Sequence, residues 1–317
     1  MKCWGVRNQN DQQVEQVYHI PVLLHEVIEG LQIKPDGVYV DCTFGGGGHS
    51  KAILEKLSEK GRLLAFDQDA DAVRNLPEDP RLIFIPQNFR HLSRFLRLHQ
   101  YQQVDGVMAD LGVSSHQFDE ADRGFSTRHN AALDMRMDQR QTLIAADVIN
   151  NYSAEKLHKL FEQYGEVSNA KTLARTIVDL RASVTLQTIE GFKNAIREIV
   201  KGNPNKYFAQ VFQALRMEVN DETGALKEML QQIPALLKPA GRVAIITFHS
   251  IEDRLVKNFF RRGSFEEPDQ NPFINTEPVN ALRLVNKKPI TATEEELKRN
   301  PRSRSAKLRV AEKKHEE

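Results

Sequence analysis

The chain has 317 residues, 40% of them hydrophobic and 27% charged, with a formal net charge of +1. That is ample for a sizeable core, and it excludes a disordered polyelectrolyte and a globally basic nucleic-acid binder. Two cysteines, Cys3 and Cys42, make neither a disulfide framework nor a metal cluster, and no apolar run is long enough to span a bilayer. A reducing, cytoplasmic setting fits this usage.

Residues 1–17 are polar and are expected to be a disordered extension. In the segment that follows, Leu24, Val27, Ile28 and Leu31 share one helical face, which predicts a short helix over a sheet edge. Val38-Tyr39-Val40 is a β-favouring run ending in Asp41; the glycines Gly45 to Gly48 follow, and a helix opens at His49-Ser50. A strand, a glycine turn and a helix start bring bare backbone N–H groups to one point, which suits a nucleotide-bearing cofactor. The same loop also reads as a turn that merely lets a helix pack closely on a strand. Ser50 breaks the dinucleotide fingerprint, and no Gly-Lys-Ser/Thr closes a phosphate loop.

A second strand, Arg62 to Phe66, ends in Asp67, about 20 residues beyond the glycines. At that spacing a carboxylate accepts both ribose hydroxyls of a nucleoside. NAD and S-adenosylmethionine would both use it, but Asp41 opposes a pyrophosphate and suits the ammonium of a methionine. A turn-capping role is the other reading of Asp41. Asp69 is expected to start a helix, and Leu82 to Ile85 form strand three, whose exit loop carries Phe89 as an adenine-stacking ring or a core aromatic. Strand four runs from Val104 to Asp110 and leads into Leu111 to Gln117. Four strand runs separated by helical patterns imply an α/β, doubly wound parallel sheet with ligands outside the carboxyl ends of its strands. Asp110 stands at that edge, either to accept N–H bonds from a substrate amino group or to cap the next helix.

From Asp119 to Asp138 acids and arginines alternate in a turn-rich stretch, read as a substrate-touching loop or as a salt-bridged solvated segment. No strand run interrupts residues 145–200, where three amphipathic helices are expected, the first capped by Ser153. This is a helical insertion in an α/β domain. Tyr207 to Arg216 and Leu226 to Leu237 are further helices; the turn Lys238 to Gly241 then leads to strand five, Arg242 to Phe248. Ser250, followed by acids, is expected to cap the next helix. Residues 264–280 contain Pro268, Pro272 and Pro278 and are expected to be a mobile loop. Ala281 to Lys314 holds eleven Lys/Arg against four Glu, which makes it the best phosphate-facing candidate. Within it, Leu282 to Val285 and Lys307 to Val310 alternate like an edge hairpin.

These stretches together resemble the bacterial small-subunit (16S) ribosomal RNA cytosine-N4 methyltransferases over roughly residues 18–312. The resemblance rests on His19-Ile20-Pro21-Val22-Leu23-Leu24, Asp41-Cys42-Thr43-Phe44 with the glycines and His49-Ser50, and Asp110-Leu111-Gly112-Val113-Ser114-Ser115. It continues through Arg123-Gly124-Phe125-Ser126, Leu133-Asp134-Met135-Arg136-Met137, Phe212-Gln213-Ala214-Leu215-Arg216, Phe248-His249-Ser250-Ile251-Glu252-Asp253-Arg254 and Asn300-Pro301-Arg302-Ser303-Arg304-Ser305.

The resemblance implies a class I (Rossmann-like) methyltransferase domain, mostly parallel, in two parts at 18–125 and 205–317. An inserted helical substrate-recognition domain would occupy 126–204. S-adenosylmethionine is the implied cofactor, S-adenosylhomocysteine its product, and a cytosine N4 in the decoding centre the implied target; the chemistry requires no metal. Carried over residue by residue, the cofactor positions fall on Gly47, Gly48, His49, Asp67, Phe89, Asp110 and Gln117, with Asp110 also the catalytic candidate. Gly46 stands where a basic residue is common, and Asn203 to Gln210 replace a familiar His-Pro-Ala-Thr-Arg run. Val113 stands where amino methyltransferases often carry an aromatic, which leaves Phe125 or Phe248 to stack on a flipped base. His249 is a conceivable proton acceptor. The implied partner is small-subunit ribosomal RNA within the 30S particle, with no membrane; whether the protein forms a homodimer stays open. A DNA amino-methyltransferase and a non-catalytic ribosome-assembly factor are the rival readings.

Overall fold

The computed structural model of the protein describes residues 21–184, 186–265 and 280–315. The expected extension at 1–17, and all but the ends of the proline-bearing segment at 264–280, lie outside the described residues.

The strands are β1 (Val38–Asp41), β2 (Arg62–Phe66), β3 (Leu82–Ile85), β4 (Val104–Asp110), β5 (Leu237–Thr247), β6 (Leu282–Leu284) and β7 (Lys307–Lys313). They form one sheet in the order β3-β2-β1-β4-β5-β7-β6. The first five pair in parallel, while β7 returns antiparallel between β5 and β6 as the expected edge hairpin. The turn expected at 238–241 does not precede β5 but bulges out of it. Val104 pairs with Leu237 and Gly106 with Arg242, so the intervening residues loop out, with Ala240 at φ 60°.

The helices begin with α1 (Leu24–Leu31), α2 (Gly48–Leu54), α3 (Leu92–Leu98), α4 (Ser115–Asp119), α5 (Ala145–Asn151), α6 (Ala154–Gln163), α7 (Ala170–Leu180) and α8 (Ile189–Ala195). α9 (Pro204–Val219), α10 (Glu222–Leu236), α11 (Ser250–Arg262) and α12 (Glu294–Arg299) complete them. Successive strand side chains point to opposite faces, so the strands divide their apolar residues between two cores. Val40, Leu64, Val107, Val243 and Ile245 pack with α3, α10 and α11. Tyr39, Leu63, Met108, Ala244 and Ile246 pack with α1 and α2. Asp69 begins a single 3-10 stretch, Ala70–Asn75, rather than an α-helix. No helix among the described residues is long and apolar enough to cross a membrane.

A third core gathers residues from Phe125 to Val219 and holds the helical layer. The stretch 119–138 is not a solvated segment, because Phe125, Leu133, Met135 and Met137 are buried in that core. Arg123 is likewise buried and binds the Asp69 and Asp71 carboxylates and the Arg136 and Met137 carbonyls. Asn220, between α9 and α10, fastens the same loop: its Oδ1 accepts the Met137 N–H at 2.7 Å, and its Nδ2 donates to the Met135 carbonyl at 2.8 Å. Replacing Asn220 with Ala strands two buried backbone groups, a loss of about 2–6 kcal/mol at about 1–3 kcal/mol per unsatisfied group. Urea unfolding of the variant is expected to show that loss; an unchanged midpoint would remove Asn220 from the anchoring role.

Candidate active site

The cleft opens at the carboxyl ends of β1 and β4, where the chain path reverses direction across the sheet. Its floor is the glycine turn after β1. Asp41, fully buried, accepts the Thr43 N–H at 3.0 Å and the Ser50 hydroxyl at 2.7 Å. The Thr43 hydroxyl accepts the Asp110 N–H at 2.7 Å, which ties the turn to the end of β4. On the other flank Asp67 accepts the Gly45 N–H at 2.7 Å and the Asp69 N–H at 2.8 Å. Gly47 has φ 75°, and a Cβ there would sit 2.9 Å from the Phe44 ring; a Cβ on Gly48 would meet Pro21 at 2.2 Å. Both positions therefore need glycine, one for its backbone angle and one for space.

Gly48, His49, Asp67, Phe89, Asp110 and Gln117 all line this cleft, whereas Gly47 is buried behind its wall. Gln117 is occupied structurally: its Oε1 accepts the Ser114 N–H in a capping box, and its Nε2 donates to Asp69 at 2.7 Å. The His49 ring approaches the Val22 carbonyl at 3.0 Å through Nε2, with Nδ1 3.9 Å from Asp110. Asp41 does not reach the cleft. It has no solvent exposure and lies outside the cleft lining, whereas Asp67 is half-buried and lines it, so the ammonium-binding role inferred for Asp41 gives way to the turn-holding one. Of the two candidate stacking rings, Phe248 lines the cleft while Phe125 is buried in the helical core.

The acids differ in their surroundings. Burial pushes Asp41 and Asp67 each up to about 6. Asp110 is raised well above the usual carboxylate range, first by burial and then by the charges of Asp41 and Glu252. Its Oδ1 is buried and has no hydrogen-bond partner among the described residues. Burial would also raise Glu252, but His249, the Phe248 N–H and Arg216 together hold it below its ordinary value.

Several wall residues were not among the site residues read from the sequence. Gln68 and Asn88 bond to each other at 2.7 Å beside Phe89, and Met137, Asn220 and Glu222 come from the helical side. Glu252 was legible as a first-turn acid of α11 and as part of a family motif, but not as a site residue. The cap of that helix is His249, whose Nδ1 takes the Glu252 N–H at 3.5 Å, while Ser250 points to Glu166. Glu222, His249 and Glu252 bring potential ligand atoms within 4.8 Å of one another. Arg216 already grips Glu222 at 2.7 and 3.0 Å, so this cluster is an ion-pair network with its own cation. The arrangement offers a site for a nucleoside, bounded by Asp67 and Phe89, beside an unpaired carboxylate oxygen.

Curated relatives match nearly the whole chain. "Ribosomal RNA small subunit methyltransferase H" of Parabacteroides distasonis is 52% identical over 304 residues, covering 95% of this chain and 99% of that protein. Proteins of the same name from Bacteroides thetaiotaomicron and Christiangramia forsetii are each 52% identical, covering 95% and 93% of this chain and 99% and 98% of their own. A solved putative rRNA-methylase from Clostridium thermocellum is 11% identical with a TM-score of 0.42, covering 93% of this chain and 99% of its own, too distant to bear on the site. The family model described as "MraW methylase family" matches residues 16–314, and with half the residues shared across full-length relatives the chain belongs to that family.

Proposed function

We propose that the protein transfers a methyl group from S-adenosylmethionine to the exocyclic N4 of a cytosine in 16S ribosomal RNA, within the 30S particle. Family membership and the names of the half-identical relatives support the reaction class and the RNA. The observation that carries the location is Asp110, whose unpaired buried oxygen shares one cleft with the glycine turn and Asp67.

S-adenosylmethionine supplies the methyl group as an electrophile on a sulfonium. Each Asp67 oxygen accepts one backbone N–H and keeps lone-pair capacity for the ribose hydroxyls. Phe89 gives the adenine a face, with Gln68 and Asn88 alongside. Asp110 lines the cleft that would hold the cationic cofactor, whose positive charge would oppose the effect of burial and favour the ionised carboxylate. A cytosine N4 is a weak nucleophile because its lone pair is delocalised into the ring. Hydrogen bonds from N4 to Asp110 return density to nitrogen and meet the positive charge that develops there. Phe248 supplies the ring on which the unstacked base lies. The helical segment 126–204 acts as the substrate-recognition insertion, and a homodimer is the assembly to test by light scattering. Lys287, Lys288, Lys298, Arg299 and Arg304 are exposed and offer a surface to RNA phosphates.

Asp110→Ala is expected to lower kcat by about 10²–10³-fold, the usual cost of losing one charge-stabilising partner in a closed site. Tritiated-methyl incorporation into 30S particles measures it, and a variant near the wild-type rate would remove Asp110 from the chemistry. The ionised Asp67 is the form that accepts ribose hydroxyls, so cofactor affinity should be full well above pH 6 and weaken as pH drops through about 6. Calorimetry across that window, with Asp67→Asn as the pH-insensitive control, checks the sign. Neutralising Lys287 and Lys288 together should flatten the salt dependence of RNA binding by about one to two units of slope. An unchanged slope would take that surface out of the interface.

A further inference from the structure

Glu252 sits in the first turn of α11 and is only 4% exposed, yet it forms part of the cleft wall beside Asp110. Its Oε2 accepts the Phe248 N–H at 3.0 Å, and its Oε1 lies 3.1 Å from His249 Nε2. The charged groups around it are Asp110 from β4, Arg216 from α9, Glu222 from α10 and His249 from its own helix cap. The charge of Asp41 also acts on Asp110. Arg216 is bound through two bonds to Glu222, so His249 is the ring in direct contact with Glu252. A glutamate three residues after a helix cap has an ordinary structural use, returning its side chain to a backbone N–H. That use needs one oxygen and does not require the residue to line a cleft.

We propose that Glu252 is the base that takes the proton from N4 of the target cytosine, while Asp110 orients the amino group and His249 steadies Glu252. This rests on the cytosine-methylation reading above. In the step, the N4 lone pair forms the new N–C bond and the C–S pair stays on sulfur, which leaves as a neutral thioether. N4 then carries a methyl group, two hydrogens and a positive charge. One proton passes to a Glu252 oxygen, and the N–H pair returns to nitrogen. The products are neutral N4-methylcytosine and a neutral glutamic acid, which releases its proton to water. Two carboxyl groups with opposed environments suit two roles. Asp110 is the one pushed up, and its Oδ1 accepts an N–H bond even when the group is protonated; Glu252 is the one held ionised.

The test is single-turnover methyl transfer into 30S particles that lack the modification, run beside calorimetry with S-adenosylmethionine and thermal melting. Glu252→Gln keeps an oxygen for the Phe248 N–H and loses the basicity. Its transfer rate is expected to fall about 100-fold, the lower end of general-base effects, with cofactor affinity and Tm near wild type. Glu252→Asp keeps a carboxylate on a shorter arm and should transfer faster than the Gln variant. A Gln variant close to the wild-type rate overturns the proposal. So does a pair of variants equally slow and equally destabilised, since that is the mark of a purely structural glutamate. A wild-type protein that methylates no small-subunit particle sinks the methylation reading itself, a separate result from either of these.

Discussion

The buried Asp41 carboxylate holds together the part of the molecule on which the cleft depends. It sits at the end of β1 with no solvent exposure and uses one oxygen on each end of the glycine turn, Thr43 before it and Ser50 after it. Burying a carboxylate is costly unless it is hydrogen-bonded, and here its bonds are the shape of the turn. Thr43 then reaches across to the Asp110 N–H, and Asp67 reaches back to the Gly45 N–H. Three acids on three adjacent strands are thereby set at fixed spacing around one turn, with the sheet register supplying the rigidity. Because these bonds run from the turn to both neighbouring strand ends, the turn cannot shift without moving the ends of β2 and β4 as well.

The helical layer is joined to this edge by buried polar contacts rather than by a flexible tether. Arg123 binds Asp69, two residues from Asp67, and also holds the carbonyls of Arg136 and Met137. Asn220 secures the other side of the same loop. Met137 is therefore a wall residue of the cleft although it belongs to the helical core. Such contacts are weak evidence for stability on their own, but each leaves an unpaired buried group if broken, which penalises alternative placements of the helical layer. The side of the cleft facing the sheet edge and the side facing the helices are in this way parts of one packed unit.

The basic carboxyl-terminal stretch has two populations of charge. Arg309 is 4% exposed and bonds Asp253 at 2.7 Å, which pins α11 to β7, and Glu312 binds both Arg242 and Arg283. These cations are spent on the edge of the sheet. Arg302 pairs with Asp119 and lines the cleft mouth, while Lys287, Lys288, Lys298, Arg299 and Arg304 remain exposed. Counting charge along the chain therefore overstated the surface available to a polyanion.

The sequence alone determined the strand runs, the interposed helical patterns, the glycine turn and the acids at the ends of β2 and β4. These are local signals: alternation, spacing and turn residues are set by neighbours a few positions away. The cleft lining at Gly48, His49, Asp67, Phe89 and Asp110 followed from strand ends and family motifs, because a parallel sheet gathers the carboxyl ends of its strands. Only the tertiary structure decided how each polar atom is used. Asp41 and Asp110 look alike at the ends of their strands, yet one has both oxygens occupied and the other has an unpaired one. The choice between Phe125 and Phe248, the burial of Arg123 and the presence of Glu252 in the cleft wall likewise depend on contacts between residues distant in the chain. Thr43 and Asp110 meet across 67 positions and Asn220 and Met137 across 83, separations at which no periodicity carries information.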